Sequence, residues 1–478
     1  MSTKATRKQK LNKSGMLRSI LSYAIAPIVT GLVSILVVPL VSYSFPADEY
    51  GKINMFYTVG TLASSVFLCG LDHAVIRYYF EPPKGLSRRQ IFTFALVASV
   101  TVDVLITILS ISCFGHGVSD LLFGEDNYFA LVLLGCYIVG LTLFRLVNLS
   151  ARMQGKPLQY NLQLIIQNII SKFSFVFALL WSTNYLDAVS IMAILMLLFG
   201  IGLVIVHKSD LTLSLSGVSL TSIKVLVLFG FPCMLSSIAS QLDAMIGRLI
   251  LAGSGCYSEV GVLAIASTLA AVFTLIPSAF NTFWAPYMYE HYKDKKQQIR
   301  DVHDYVMIAA TALTVLVLMF QDVLYVLVGE QYEVSQMYFM LLMLSPVKSF
   351  ICETTGYGVM LNNKPIYATW IIILGIIINI GVAISLVPYL GAFAAAIGVA
   401  ISSIITGAIR SCVSCKMYRS IHSYKRSVLV SSLIIFLCFS NIVIYSSLLL
   451  RIIISATACL IIFIVYREKL RDLMLRFS

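Results

Sequence analysis

Fourteen stretches of this chain are apolar and long enough to cross a bilayer, and that removes every water-soluble fold from consideration. A spanning helix needs about 20 mostly apolar residues to cover roughly 30 Å of hydrocarbon. The spans read from the sequence are 19–43, 53–76, 90–114, 127–149, 160–182, 187–206, 225–251, 261–287, 305–321, 334–360, 366–388, 392–409, 427–447 and 452–466. The connections are all under about 20 residues, too short for a soluble domain. Composition agrees, since 59% of the residues are hydrophobic and 12% charged, where soluble proteins are nearer half and a quarter. The expectation is an all-α integral membrane protein.

Thirty-four Lys and Arg against 22 Asp and Glu leave a net charge of +12, and the placement of these charges gives the excess its meaning. Short loops retained in the cytoplasm keep Lys and Arg. Partitioned over alternate sides, 28 of the 34 cations fall on one side, Lys52 and Arg451 on the other, and Arg145, Lys172, Arg248 and Lys348 within spans. Both termini are therefore expected in the cytoplasm, and the basic arm from Lys4 to Lys13 reads as topogenic rather than as a nucleic-acid-binding tail. The apolar run from Ile20 is longer than a signal-peptide core and lacks a small-residue cleavage site, so it is expected to stay in the bilayer.

Ten cysteines lie mostly in spans and support no disulfide framework. Cys412 and Cys415 have metal-like spacing, but no second pair or histidine set accompanies them, so no metal site is expected.

The chain carries an internal repeat. Leu149–Pro157, reading LSARMQGKP, recurs as Tyr357–Pro365, reading YGVMLNNKP, at an offset of 208. Glu49-Tyr50-Gly51 is answered by Glu259-Val260-Gly261 at 210, and Arg77–Glu81 pairs loosely with Pro286–Glu290 at 209. Because six spans return the chain to its starting side, the halves read as parallel repeats related by an axis along the membrane normal. The expected division is a cytoplasmic tail over 1–18, a first six-helix lobe over 19–208, a second over 209–417, and two further spans with a C-terminal tail over 418–478.

Eight ionisable residues sit inside spans: Asp72, Asp103, Asp243 and Glu353 beside the four cations named above. Each costs about 2.5–3.5 kcal/mol at the bilayer centre on insertion scales, so each calls for a partner or a wet cavity. Asp243 with Arg248, and Lys348 with Glu353, have the spacing of local pairs, while Asp72 lies a turn from Arg77. Lys172, mid-span with no acid nearby in sequence, and Arg145 stand out as cavity cations suited to an anionic cargo.

Four segments stand out: Phe45–Gly51 (FPADEYG), Gly70–Phe80 (GLDHAVIRYYF), Ala151–Pro157 (ARMQGKP), and Asn379 followed by Leu386–Ile397. Together they resemble the polysaccharide-export flippases of the multidrug/oligosaccharidyl-lipid/polysaccharide (MOP) superfamily, most of all the O-antigen (Wzx-type) translocases. The resemblance spans nearly the whole length. It implies a V-shaped pair of six-helix bundles in a bacterial inner membrane. By alternating access these would carry an undecaprenyl-pyrophosphate-linked oligosaccharide from the cytoplasmic to the periplasmic leaflet, alongside other polysaccharide-assembly proteins. It also implies a basic central cavity, for which the matching positions are Arg77, Arg145, Arg152, Lys172, Arg248 and Lys348. No cofactor is implied, although some members couple to an H+ or Na+ gradient or to the membrane potential, for which Asp72, Asp103, Asp243 and Glu353 are the candidate acids. The same superfamily offers two alternatives, a cation-coupled drug exporter and a lipid II flippase. A membrane glycosyltransferase or O-antigen polymerase is a fourth reading, against which the short outer loops speak.

Overall fold

The computed structural model describes residues 29–80, 82, 83, 85–212, 219–362, 364, 366–469 and 471, and all regular structure among them is helical. The expected basic tail over 1–18, and Glu81 and Pro365 of the repeat, lie outside the described residues. The first helices are α1 (Val29–Ser44), α2 (Ala47–Phe67), α3 (Leu71–Tyr78), α4 (Arg88–Phe123) and α5 (Tyr128–Met153). Next come α6 (Pro157–Lys172), which passes into a 3-10 segment Ser174–Leu180, α7 (Tyr185–Val206) and α8 (Leu220–Gly253). The second half contains α9 (Tyr257–Val272), α10 (Leu275–His291), α11 (Lys296–Tyr325), α12 (Gln336–Thr355), α13 (Tyr357–Leu361), α14 (Ile366–Met417), α15 (Tyr424–Ile444) and α16 (Leu448–Val465).

Eleven spans among the described residues are long and apolar enough to cross a membrane, twelve if α2 and α3, bent by 53° at their break, form one. Two of the expected spans, 366–388 and 392–409, run together in the 52 residues of α14, broken at Gly391. Only residues from 29 on represent the expected first span.

Polar residues at the helix ends set where the spans begin. Ser87 and Gln90 form a reciprocal capping box at the start of α4, and Asn127, Asn184, Ser423 and Ser447 cap α5, α7, α15 and α16.

Two compact units divide the chain. One comprises the described residues up to Phe45 together with Glu49–Leu242, the other Pro46–Asp48 with the described residues from Asp243 onward, so the division falls inside α8. In the first unit α5 is the central helix, packed against α4, α6 and α7. It crosses α7 at Gly140 and Gly200, where a Cβ on Gly140 would stand 2.6 Å from the Met196 backbone and only hydrogen fits. In the second unit α12 is the buried core helix, flanked by α14, α11 and α15.

The repeat seen in sequence recurs as hydrogen bonding inside each unit. The Lys156 amide donates to the Ala151 carbonyl at 3.1 Å, and 208 residues later the Lys364 amide donates to the Val359 carbonyl at 3.0 Å. The Glu49 carboxylate accepts the Tyr185 amide at 2.6 Å, which places it at the first residue of α7. Its counterpart Glu259 accepts the amide of Ala392, just past the break in α14. There Gly391 has φ 52°, and any Cβ on it would collide with the Glu259 carboxylate. Each acid thus satisfies an orphan amide at a helix start and meets the positive end of the helix dipole. Replacing Glu49 or Glu259 by alanine is expected to cost about 1.5–3 kcal/mol in either case. The measurement is faster amide exchange confined to the first turn of α7 in one variant, and after Gly391 in the other. A response from only one of the two would break the structural equivalence.

Candidate functional site

In the first unit the candidate charges gather around α5. From Leu141 to Ala151 every residue of this helix is buried except Arg145. Its guanidinium reaches the Asp72 carboxylate at 3.3 Å, with 55% of the Arg145 side chain exposed and 8% of Asp72. The arginine is thus held from within the unit and displayed at its surface. Leaving Asp72 buried without this partner would be strongly unfavourable, so the pair orders α3 against α5. This partner of Asp72 lies 73 residues away, on another helix. Arg77 itself is exposed, stacked over the Tyr78 ring at 5.6 Å.

Lys172 closes α6 and donates from Nζ to the Ser34 hydroxyl of α1 at 3.0 Å. A hydroxyl carries no countercharge, unlike the carboxylate facing Arg145. Asp103 belongs to a buried ridge of α4, with Ala95 and Ser99 at four-residue spacing. Its side chain is wholly buried and neither oxygen meets a hydrogen-bond donor among the described residues, although Thr142 on α5 lies near it. Around these groups His73 meets the Ser237 hydroxyl at 3.2 Å, and Gln241 donates to Ser65 at 2.9 Å, so polar contacts also tie α3 and α2 to α8. Arg152 is exposed near the end of α5.

In the second unit the local pairs suggested by spacing do not form between Lys348 and Glu353. Glu353 accepts from the Asn281 side chain of α10, which also donates to the Tyr357 hydroxyl at 3.2 Å. Lys348 runs its methylenes along Gly407 of α14, where a Cβ would stand 2.8 Å from its Cγ. Asp243 receives the Asn379 amide at 3.2 Å on its carboxylate and at 2.9 Å on its own backbone carbonyl. Arg248 lies half-buried one turn further along α8. Serine, asparagine and tyrosine partners such as Ser34, Asn281 and Tyr357 escaped the sequence reading, because lone polar residues in spans carry no signal of which helix they face. No group of three or more His, Cys, Asp or Glu side chains with metal-binding geometry occurs among the described residues.

The fold and these charges define a polytopic helical membrane protein whose interior carries deliberately held ionic groups. Residues 16–291 match the family described as polysaccharide biosynthesis protein, and the chain belongs to that family. No curated protein matches the sequence. Among solved structures, a lipid II flippase MurJ in an inward closed conformation superposes with a TM-score of 0.68 at 13% identity, covering 93% of this chain and 99% of that one. A multidrug resistance MATE family transporter of the MOP superfamily, inward-facing, gives 0.56 at 13% identity over 86% of this chain and 98% of that one. An outward-facing structure of such a transporter gives 0.51 at 16% identity, over 87% and 96%. At these identities the likeness establishes the fold, which is that of MOP-superfamily transporters.

Proposed function

We propose that this protein is a flippase that carries a lipid-linked oligosaccharide across a bacterial inner membrane by alternating access, the cargo being an O-antigen-type repeat unit on undecaprenyl pyrophosphate. Arg145 carries the reading. A single exposed residue on an otherwise buried stretch of a membrane helix is an arginine anchored by a buried aspartate. Such an arrangement presents a fixed positive charge to an anionic, hydroxyl-rich headgroup, whose passage through hydrocarbon would otherwise cost several kcal/mol for each unsatisfied polar group. Lys172 adds a second cation, whose partner among the described residues is the Ser34 hydroxyl. Family membership supports the polysaccharide side of the reading.

Asp103, buried without a hydrogen bond among the described residues, is the acid we place first for coupling to an H+ or Na+ gradient. The test is reconstitution of the full chain into vesicles holding a fluorescent undecaprenyl-pyrophosphate oligosaccharide in one leaflet. Protein-dependent appearance of the sugar in the opposite leaflet is expected. Its absence, together with export of cationic drugs from the same vesicles, would replace this reading with the drug-exporter alternative.

A further inference from the structure

A polar pocket of about 380 Å³, lined by neither Arg145 nor Lys172, opens at one end of the first unit. Tyr79 and Phe80 just past α3, the first turns of α4, the end of α5 and the short 3-10 turn Lys208–Asp210 after α7 build it. Its floor is a closed hydrogen-bond set. Gln154 donates to the Asp210 carboxylate at 2.6 Å and to the Ser150 hydroxyl at 3.0 Å, and Ser150 donates to Asp210 at 3.1 Å. Its walls bring together three exposed cations, Arg88, Arg89 and Lys156. None of the three has an ion-pair partner among the described residues: Arg88 instead lies over the Tyr79 ring at 5.5 Å, and Asp210 is already engaged by the floor. Tyr79 and Phe80 form the rim, edge to face at 5.0 Å, with 73% of Phe80 exposed.

Three features of this pocket point to three parts of one ligand. Two arginines in the first turn of α4, where the helix adds its own positive end, suit phosphate oxygens, which a guanidinium engages two at a time. An amide, a hydroxyl and a carboxylate side by side suit sugar hydroxyls, and the carboxylate would repel a bare phosphate placed on the floor. Exposed aromatic rings at the rim suit the apolar face of a sugar and the edge of the lipid. A volume of about 380 Å³ lies at the small end of ligand pockets, enough for a compact headgroup.

We propose that this pocket is a docking site for the glycosyl phosphate headgroup of a membrane lipid. Arg88 and Arg89 hold the phosphate, and Gln154 with Asp210 holds the sugar. Under the function proposed above it is the place where cargo is captured before transport, and the inference rests on that reading for its purpose though not for its chemistry.

The experiment uses the full chain in nanodiscs with three photoreactive probes: a short-chain prenyl pyrophosphate bearing N-acetylglucosamine, the same prenyl pyrophosphate without sugar, and phosphatidylglycerol. Labelling is mapped by mass spectrometry. The glycosylated probe is expected to label residues 79–92, at least tenfold less in Arg88→Gln/Arg89→Gln. The Arg88→Lys/Arg89→Lys variant keeps the charge count, and with it the topology, and should recover only part of the labelling, because an ammonium cannot engage two oxygens in the guanidinium geometry. Gln154→Leu should weaken the glycosylated probe and leave the bare pyrophosphate unchanged. Equal labelling by phosphatidylglycerol, or no gain from the sugar, would overturn the assignment in favour of a general anionic-lipid contact. Labelling unchanged in the glutamine pair would overturn the pocket altogether. Loss of translocation by the wild-type chain in vesicles, with pocket labelling intact, would instead overturn the proposed function, so the two failures are distinguishable.

Discussion

Replacing Asp322 by alanine is expected to destabilise the protein by about 3–5 kcal/mol, read as a lower thermal unfolding midpoint in detergent and loss of exchange protection across α16. Asp322 ends α11 and holds the guanidinium of Arg451, a residue of α16 whose side chain is only 2% exposed. Removing the acid strands that charge inside the helix pack, with one remaining bond to the Leu318 carbonyl at 3.4 Å. Asp322 itself is half exposed, so the double replacement Asp322→Leu/Arg451→Met should regain most of the loss because it leaves no charge stranded inside the helix pack. A single-variant cost below about 1 kcal/mol, the range of an exposed pair, would show that the arginine reaches water instead.

This pair also gives α15 and α16 a structural role. Gln321 donates to Asn441 at 2.7 Å, joining α11 to α15, and His303 meets Ser427 at 3.0 Å nearer the other end of α11. Asp301 there accepts from His422 at 2.8 Å and from Lys469 beyond the end of α16. Burial works against the Lys469 charge, but the Asp301 carboxylate prevails and raises its pKa above the ordinary 10.5. The last two spans are therefore bolted to α11 near both of its ends.

The second large effect concerns transport. Arg145→Gln combined with Asp72→Asn removes both charges and keeps a neutral hydrogen-bonding pair, so the fold should survive with stability changed by no more than about 1 kcal/mol, the net worth of one neutral hydrogen bond. Flipping of the labelled lipid-linked sugar in vesicles is expected to fall at least tenfold, since a charge-assisted bond to a phosphate contributes about 1.5–3 kcal/mol. Arg145→Lys keeps the charge and should retain part of the rate. Full flipping by the double variant, at normal protein abundance, would remove Arg145 from the substrate path and leave the pair a purely structural bond.

Much of the fold was legible because membrane helices announce themselves locally. Spans such as 427–447 and 452–466 appear as α15 (Tyr424–Ile444) and α16 (Leu448–Val465), nearly where hydropathy put them. The repeat was legible as well, and Glu49 and Glu259 proved to perform the same capping task in each half. Partners were not legible. Sequence spacing suggested Lys348 with Glu353, yet Glu353 found Asn281, 72 residues away. Arg451 read as an ordinary loop cation because it stands beside a span end, and only the packing of α16 on α11 buries it.

By itself the chain's order of residues determined a bilayer-spanning helical protein with an internal repeat and charges held at membrane depth. Hydrophobicity over about 20 residues, and the cost of each ion in oil, act along the chain and need no knowledge of what lies beside it. Which charge neutralises which, and which stays displayed, was decided only by tertiary structure. A pairing such as Asp72 with Arg145 depends on the rotation of each helix about its axis, and that rotation is set by packing against neighbours far away in sequence.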